Sequence, residues 1–280
     1  ELDIEGDLVS AFHLFNSMAS NLSNSNLLTL LRLWFAPPGE RSHFQTMSRK
    51  TADLVGSRHS RGRDRAAIQY HYDVGNDFYQ LWLDRRMIYS CAYFPTGTED
   101  LDTAQEQKLD IICRKLQLKP GERLLDIGCG WGGLVIYAAQ KYGVSTFGVT
   151  LSKEQHILAN ERIAAAGLGS SAVKLMDYRD LRAEPFDKIV SIGMFEHVGR
   201  EHLSEYFGHV YNLLKPGGLF VNHGISLHPS STESSAWSHL VGRYVLGAGS
   251  FFDRYIFPDG ELVPVSEVNL IAERTGFEVR

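Results

Sequence analysis

Between residues 123 and 225 the chain alternates short apolar segments with helix-patterned stretches, and this alternation limits the fold more than any other feature. Segments 123–129, 144–150, 172–177, 186–193 and 219–225 are short, apolar and bounded by turn residues, which reads as strand. Between them lie helical stretches such as 152–166, with Ser152 as N-cap, and 201–214, which stops before Lys215-Pro216-Gly217-Gly218. Strands separated by helices pair in parallel, with the helices covering both faces of the sheet. The expected fold class is therefore α/β, a doubly wound, mostly parallel, Rossmann-like sheet.

Before residue 120 the pattern is helical. Residues 26–35 have a helix-like apolar density and end at Pro37-Pro38-Gly39, while 103–118 places Leu109, Ile112 and Leu116 at helical spacing before Pro120-Gly121. Residues 57–65 are polar and contain glycine, which reads as a linker. Residues 265–275 read as a last helix and 277–280 as the first half of a strand. A domain that stops inside a strand leaves its neighbours unpaired, so the natural protein is expected to continue past Arg280 and to begin before Glu1. The expected organisation is a partly helical region over 1–60, a candidate lipid-docking appendage, followed by a domain over 61–280 truncated at its C-terminus.

The first chemical signal is Asp126-Ile127-Gly128-Cys129-Gly130-Trp131-Gly132-Gly133, where the first strand meets a helix. Glycines let the backbone turn tightly and approach a ligand, and the helix N-terminus offers free N–H groups. Gly128, Gly130 and Gly133 also satisfy the dinucleotide fingerprint. A nicotinamide enzyme, however, wants Asp or Glu at the end of the second strand, where this chain has Thr150-Leu151-Ser152. Asp126 immediately before the glycines fits the loop of S-adenosylmethionine-dependent (class I) methyltransferases. The bland alternative, a tight turn with no ligand, sits poorly with the surrounding strand–helix–strand pattern.

Composition removes several classes. Three cysteines without a CxxC pair support neither a disulfide framework nor a metal site, so a reducing compartment is expected. No apolar run reaches spanning length, and the acidic opening Glu-Leu-Asp-Ile-Glu is not a signal peptide. The expected location is cytoplasmic, peripheral to the inner face of the membrane. The net charge of −5 conceals a basic stretch, with eight Arg or Lys against three acids between Arg32 and Arg65. Most such stretches are solvated loops; the functional alternative is docking on anionic lipid head groups. Nucleic acid is not expected, because no recognition motif accompanies the charge.

Seven segments, in order and with the glycine loop among them, make the resemblance specific. They are His71-Tyr72-Asp73-Val74-Gly75-Asn76-Asp77-Phe78-Tyr79, Tyr89-Ser90-Cys91-Ala92-Tyr93-Phe94, the glycine loop, 148–155, Asp177-Tyr178-Arg179-Asp180, Phe195-Glu196-His197-Val198-Gly199 and Tyr255-Ile256-Phe257-Pro258. Together they resemble the cyclopropane fatty acid synthase family, which includes the mycolic acid cyclopropane synthases. The resemblance implies cofactor contacts from Tyr89, Ser90, Asp126, Gly128, Gly130, Gly132, Thr150, Leu151, Gln155, Tyr178 and Arg179. It implies S-adenosylmethionine and bicarbonate as cofactors, and no metal. The implied partners are the phospholipid membrane surface, its unsaturated acyl chains and, as a homodimer, a second copy of the chain.

The implied reaction transfers a methylene to the double bond of an unsaturated phospholipid acyl chain. The alkene attacks a sulfonium methyl, and the resulting carbocation needs a dry site and a base to take a proton as the ring closes. In the family that base is bicarbonate, and Glu196, His223, Cys91 and Ile225 match its holders, Cys91 through its backbone. The tyrosine that completes this set would follow Arg280. Taken alone, a strand-end histidine is more often structural, and Glu196 reads equally as a helix N-terminal acid. His197 and His202 are left out of the site. The aromatic residues Tyr70, Tyr72, Phe78, Tyr79 and Phe94 could face a cation or be core. The alternatives are a related lipid C-methyltransferase, a small-molecule N-methyltransferase on the same scaffold, and a non-catalytic lipid- or cofactor-binding domain.

Overall fold

The alternation of the sequence becomes a five-stranded sheet. The computed structural model describes residues 54–227 and 259–280. Its strands are β1 (Arg123–Ile127), β2 (Ser145–Thr150), β3 (Ser171–Leu175), β4 (Phe186–Ile192) and β5 (Leu214–His223). They lie in the order β3-β2-β1-β4-β5 and every neighbouring pair is parallel. The chain winds outward from β1 to β3, then returns to start again at β4. The strand order therefore reverses between β1 and β4, which is where open α/β sheets hold ligands.

Seven helices accompany the described sheet: α1 (Arg61–Tyr72), α2 (Asn76–Gln80), α3 (Leu101–Lys115), α4 (Gly133–Tyr142), α5 (Lys153–Ala165), α6 (Leu203–Leu213) and α7 (Val265–Thr275). Asp100 caps α3 by accepting the Thr103 N–H at 2.7 Å, and Ser152 caps α5 by accepting that of Gln155 at 3.2 Å. The two-residue period of β1 then sorts its side chains. Leu125 and Ile127 enter a core with Val149, Ile189, Leu203, Phe207 and Val210, on the α6 side. Leu124 enters the opposite core with Leu109 and Ile112 of α3, Leu116 at its C-cap and Leu134 of α4. Each such side chain contributes roughly 1.5–3 kcal/mol on burial. Asp126 shares the face of Leu124, so the strand period alone sends a carboxylate toward α3.

Four expectations need correction. Residues 57–65 are not a linker throughout, since α1 begins at Arg61. Tertiary ion pairs hold it there: Arg63 binds the Asp259 carboxylate, Asp64 meets Arg179 at 3.0 Å, and Arg61 pairs with Asp180. Residues 277–280 do not enter the sheet. Gly276 is left-handed (φ 114°), and the Phe277 N–H returns to the Ala272 carbonyl at 3.1 Å, closing α7 with a Schellman-type turn. The Phe277 ring packs on Tyr211 and Phe207. Lys215-Pro216-Gly217-Gly218 lies within β5 as an irregularity, because Phe186 pairs with Leu214 and Lys188 already with Leu219. Finally, α6 starts at Leu203, after a 3-10 turn over Arg200–His202. The helix read at 26–35, most of the 1–60 region and the 255–258 segment lie outside the described residues.

Candidate functional site

The carboxyl ends of β1, β2 and β4 open into a cavity of about 140 Å³. Ten of the eleven positions read from the sequence as cofactor contacts line it: Tyr89, Ser90, Asp126, Gly128, Gly130, Thr150, Leu151, Gln155, Tyr178 and Arg179. Gly132 does not. It is the left-handed N-cap of α4 (φ 78°), and a Cβ there would press on Ala159 at 3.1 Å, so its role is to let α4 and α5 approach.

The glycine loop is clamped from below. The Gly128 and Cys129 N–H groups both donate to the Val149 carbonyl, at 3.0 and 3.1 Å. Gly128 is left-handed (φ 80°), and a Cβ would meet Met194 Cγ at 2.9 Å, while beside Gly130 there is open space. Asp126 forms the floor. It is 3% exposed, and burial pushes its carboxyl up to about 7, against the pull of the Lys108 charge.

At the end of β2, Thr150 Oγ1 donates to Gln155 Oε1 at 2.6 Å and accepts from the Ser152 N–H at 3.2 Å. Helices α1 and α2 are tied to the same corner. Gln69 Nε2 donates to the Leu151 carbonyl at 3.3 Å, Ser152 Oγ donates to Asp73, and Trp131 Nε1 donates to Asn76 Oδ1 at 2.7 Å. Asp64, Ile68 and Tyr72 of α1 thereby form part of the cavity wall. The Tyr89 ring, also in the wall, stacks on His71 at 5.6 Å between centroids.

Arg179 faces the cavity with its guanidinium already engaged. It donates to Asp177 at 2.9 and 2.7 Å and lies 3.0 Å from Asp64. Those bonds hold the Asp177 carboxyl below its usual range despite burial. The Tyr178 hydroxyl is pushed above its ordinary value by burial.

The four residues read as a catalytic set lie outside this cavity's lining; Glu196 and Ile225 meet through a hydrogen bond, and His223 stands two residues before Ile225. Glu196 sits in the 3-10 turn Phe195–His197 that follows β4. Its Oε1 accepts the Ile225 N–H at 2.6 Å, and its Oε2 is buried without a hydrogen-bond partner. His223 ends β5 opposite Ile192; its carbonyl accepts the Gly193 N–H at 2.8 Å, and its Nδ1 is buried and unpartnered. Burial raises the Glu196 carboxyl and, together with the Lys108 and Lys115 charges, lowers the His223 imidazole. Ile225 gives its amide to Glu196 and leaves half its side chain exposed. Cys91 is exposed.

Two residues that the sequence reading did not place in the site stand at or beside it. His197 lines the cavity; burial first, then the charges of His71 and His59, hold it down to about 4, so its imidazole is neutral near pH 7. Gly224 is the only residue type the site accepts there, because a Cβ would lie 2.1 Å from Phe195 Cε1 and 2.9 Å from Glu196 Oε1. Its signal in the sequence was only a glycine after a strand. The basic cluster is less free than its count implied. Arg63 binds Asp259, Arg61 binds Asp180, and Arg58 donates to the carbonyls of Asp259 and Gly260, leaving Arg65 as its exposed member without an ion pair among the described residues. No helix among the described residues is long and apolar enough to cross a membrane.

Comparison with known proteins gives concordant likenesses. A "Probable fatty acid methyltransferase" of Pseudomonas putida is 42% identical over 282 residues, covering 100% of this chain and 63% of its own length. The "Cyclopropane-fatty-acyl-phospholipid synthase" of Escherichia coli K12 is 42% identical over 225 residues, covering 80% of this chain and 51% of its own. The chain therefore spans little more than half the length of these relatives. The crystal structure of a mycolic acid cyclopropane synthase, CmaA1, complexed with SAH and CTAB superposes with a TM-score of 0.70 at 38% identity, over 77% of this chain and 75% of that one. The family model described as "Mycolic acid cyclopropane synthetase" matches residues 59–280, so the described sheet, its glycine loop and both converging strand ends fall inside the match, and the chain belongs to that family.

Proposed function

We propose that the protein is an S-adenosylmethionine-dependent methyltransferase that transfers a methylene to the double bond of unsaturated phospholipid acyl chains. The observation that carries the reading is the cavity at the strand-order reversal, walled by ten of the eleven residues expected to contact the cofactor. The names of the relatives, a fatty acid methyltransferase and a cyclopropane-fatty-acyl-phospholipid synthase, support a lipid substrate.

The cradle fits the cofactor by shape. Gly128 and Gly130 leave the backbone bare where a side chain would intrude, and Tyr89 and Tyr72 offer aromatic walls suited to a cation. S-adenosylmethionine, when bound, supplies an electrophilic sulfonium methyl. Asp126 places a carboxyl on the floor of a site where positive charge must be tolerated, and Ile68, Met87 and Leu109 give that site an apolar wall.

The converging strand ends fit bicarbonate. Glu196 Oε2 is a buried acceptor without a donor, and His223 Nδ1 is a buried polar atom without a partner, the two complementary functions that an ion with both O–H and O⁻ satisfies. Bicarbonate, when bound, supplies a base. Glu196 would orient it through Oε2 while Oε1 stays fixed by the Ile225 amide, and His223 would donate an imidazole N–H. A domain over 61–280 carries these residues, and the 1–60 region is proposed as the lipid-docking appendage, with peripheral attachment to the membrane surface and a homodimer as the working assembly.

Glu196→Gln and His223→Ala test the assignment. Each is expected to lower turnover by about a hundredfold or more, the usual worth of a positioned base, while S-adenosylhomocysteine binding measured by calorimetry stays at the wild-type level. Unchanged turnover in both variants removes Glu196 and His223 from the mechanism. Methylation of small amines in preference to lipid vesicles moves the substrate assignment to an N-methyltransferase.

A further inference from the structure

Lys108 is a buried ammonium that none of the roles above employs. It lies on α3 and is 5% exposed. Gln105, three residues earlier, leaves the helix on the same face. Gln105 Nε2 donates to the carbonyls of Ile88 and Ser90 at 3.2 and 2.9 Å, and Lys108 Nζ donates to Ser90 Oγ at 2.6 Å. Two side chains of one helix thus hold Ser90 by both its main chain and its hydroxyl.

A lysine is withdrawn from water only where its charge is answered. Burial lowers Lys108 to about 8, opposed by the charges of Asp84, Asp126 and Cys91. Its surroundings join both halves of the site, since Ser90 and Asp126 line the cavity and His223 feels the lysine's charge.

The direction of the Ser90 bond carries the argument. An ammonium has donors and no acceptor, so Oγ accepts from Lys108 and the hydroxyl's own proton must go elsewhere. Among the described residues it has no acceptor, and Ser90 lines the cavity. We propose that Lys108 is a positioning residue: by donating to Ser90 Oγ it makes the Ser90 hydroxyl a fixed donor toward a carboxylate-type anion in the cavity. This rests on the methyltransferase reading, under which the anion is the amino-acid carboxylate of the cofactor or bicarbonate. Acting through Ser90 keeps the ammonium one hydrogen bond away from a cationic sulfonium while its polarity still reaches the anion.

The test is a double-mutant cycle on the full chain with Lys108→Met, Ser90→Ala and the pair. Calorimetry measures S-adenosylhomocysteine affinity, and lipid methylation measures the bicarbonate concentration for half-maximal turnover. Each single variant is expected to weaken affinity by about tenfold, as for loss of a charge-assisted hydrogen bond, and the double variant should be no weaker than Ser90→Ala. If affinity holds and the bicarbonate requirement rises instead, the anion is bicarbonate. Lys108→Met leaves the buried Asp126 carboxyl without the cation that answers it, so a lower melting temperature is expected and affinity is read at a temperature where the variant is folded. Lys108→Gln carries the same cycle if the methionine variant fails to fold. Wild-type affinity and bicarbonate response in the Lys108 variant, or losses that simply add in the pair, overturn the role. A wild-type chain that binds no S-adenosylhomocysteine overturns the cofactor reading, and this inference with it.

Discussion

Asp126 makes the site's electrostatics measurable without substrate. Its carboxyl stands at the floor of the cavity, 3% exposed, raised by burial from 3.8 to about 7. A carboxyl raised on folding binds its proton more tightly in the native state, so its stabilisation is complete below the unfolded value and lost as pH climbs through about 7. Between about pH 5 and about pH 8 that loss spans roughly two pKa units, about 3 kcal/mol at 1.36 kcal/mol per unit. Asp126→Asn keeps the shape and removes the titration. Urea denaturation followed by tryptophan fluorescence should therefore show wild-type stability falling by that amount relative to the variant across the window. Each curve also contains every other titrating group, so the difference between the two proteins is the quantity to read. Parallel stability–pH curves would refute the claim that Asp126 is buried without full compensation by Lys108.

Further outcomes follow from single positions. Gly224→Ala should destabilise by about 1–3 kcal/mol through overpacking against Phe195, and should lower turnover by displacing Glu196, both readable from melting and activity on one sample; wild-type values for both would mean the turn has room. Gly128→Ala places a methyl 2.9 Å from Met194 at a left-handed backbone position, and S-adenosylhomocysteine affinity should fall at least tenfold; unaltered affinity would contradict the cradle. Arg63→Ala should loosen α1 from Asp259, raising hydrogen exchange in 61–72, whereas unchanged exchange would mean the ion pair does not hold that helix.

Much of this was legible in the residues. The strands could be read because buried parallel strands are short apolar runs, and the glycine loop because a ligand approaching bare backbone demands it. Segment 277–280 misled because an apolar-containing end after a helix looks like a strand, when Gly276 closes a turn that packs Phe277 onto α6. Residues 57–65 misled because their arginines find carboxylates far along the chain, in Asp259 and Asp180, contacts that spacing cannot announce. Lys108 was invisible for the same reason: on a helix its charge looks solvated, and only the strand period that turns Asp126 toward α3 buries it. The strand ends carrying Glu196 and His223 were expected to meet, but the demand for glycine at 224 arises from a ring that packs there only once the turn has formed.

The most direct measurement is incubation of the protein with labelled S-adenosylmethionine and vesicles of unsaturated phospholipid, followed by mass spectrometry of the acyl chains. The account predicts one added labelled methylene with loss of the alkene, abolished in Glu196→Gln. Measurable cofactor binding with no modified acyl chain would contradict it.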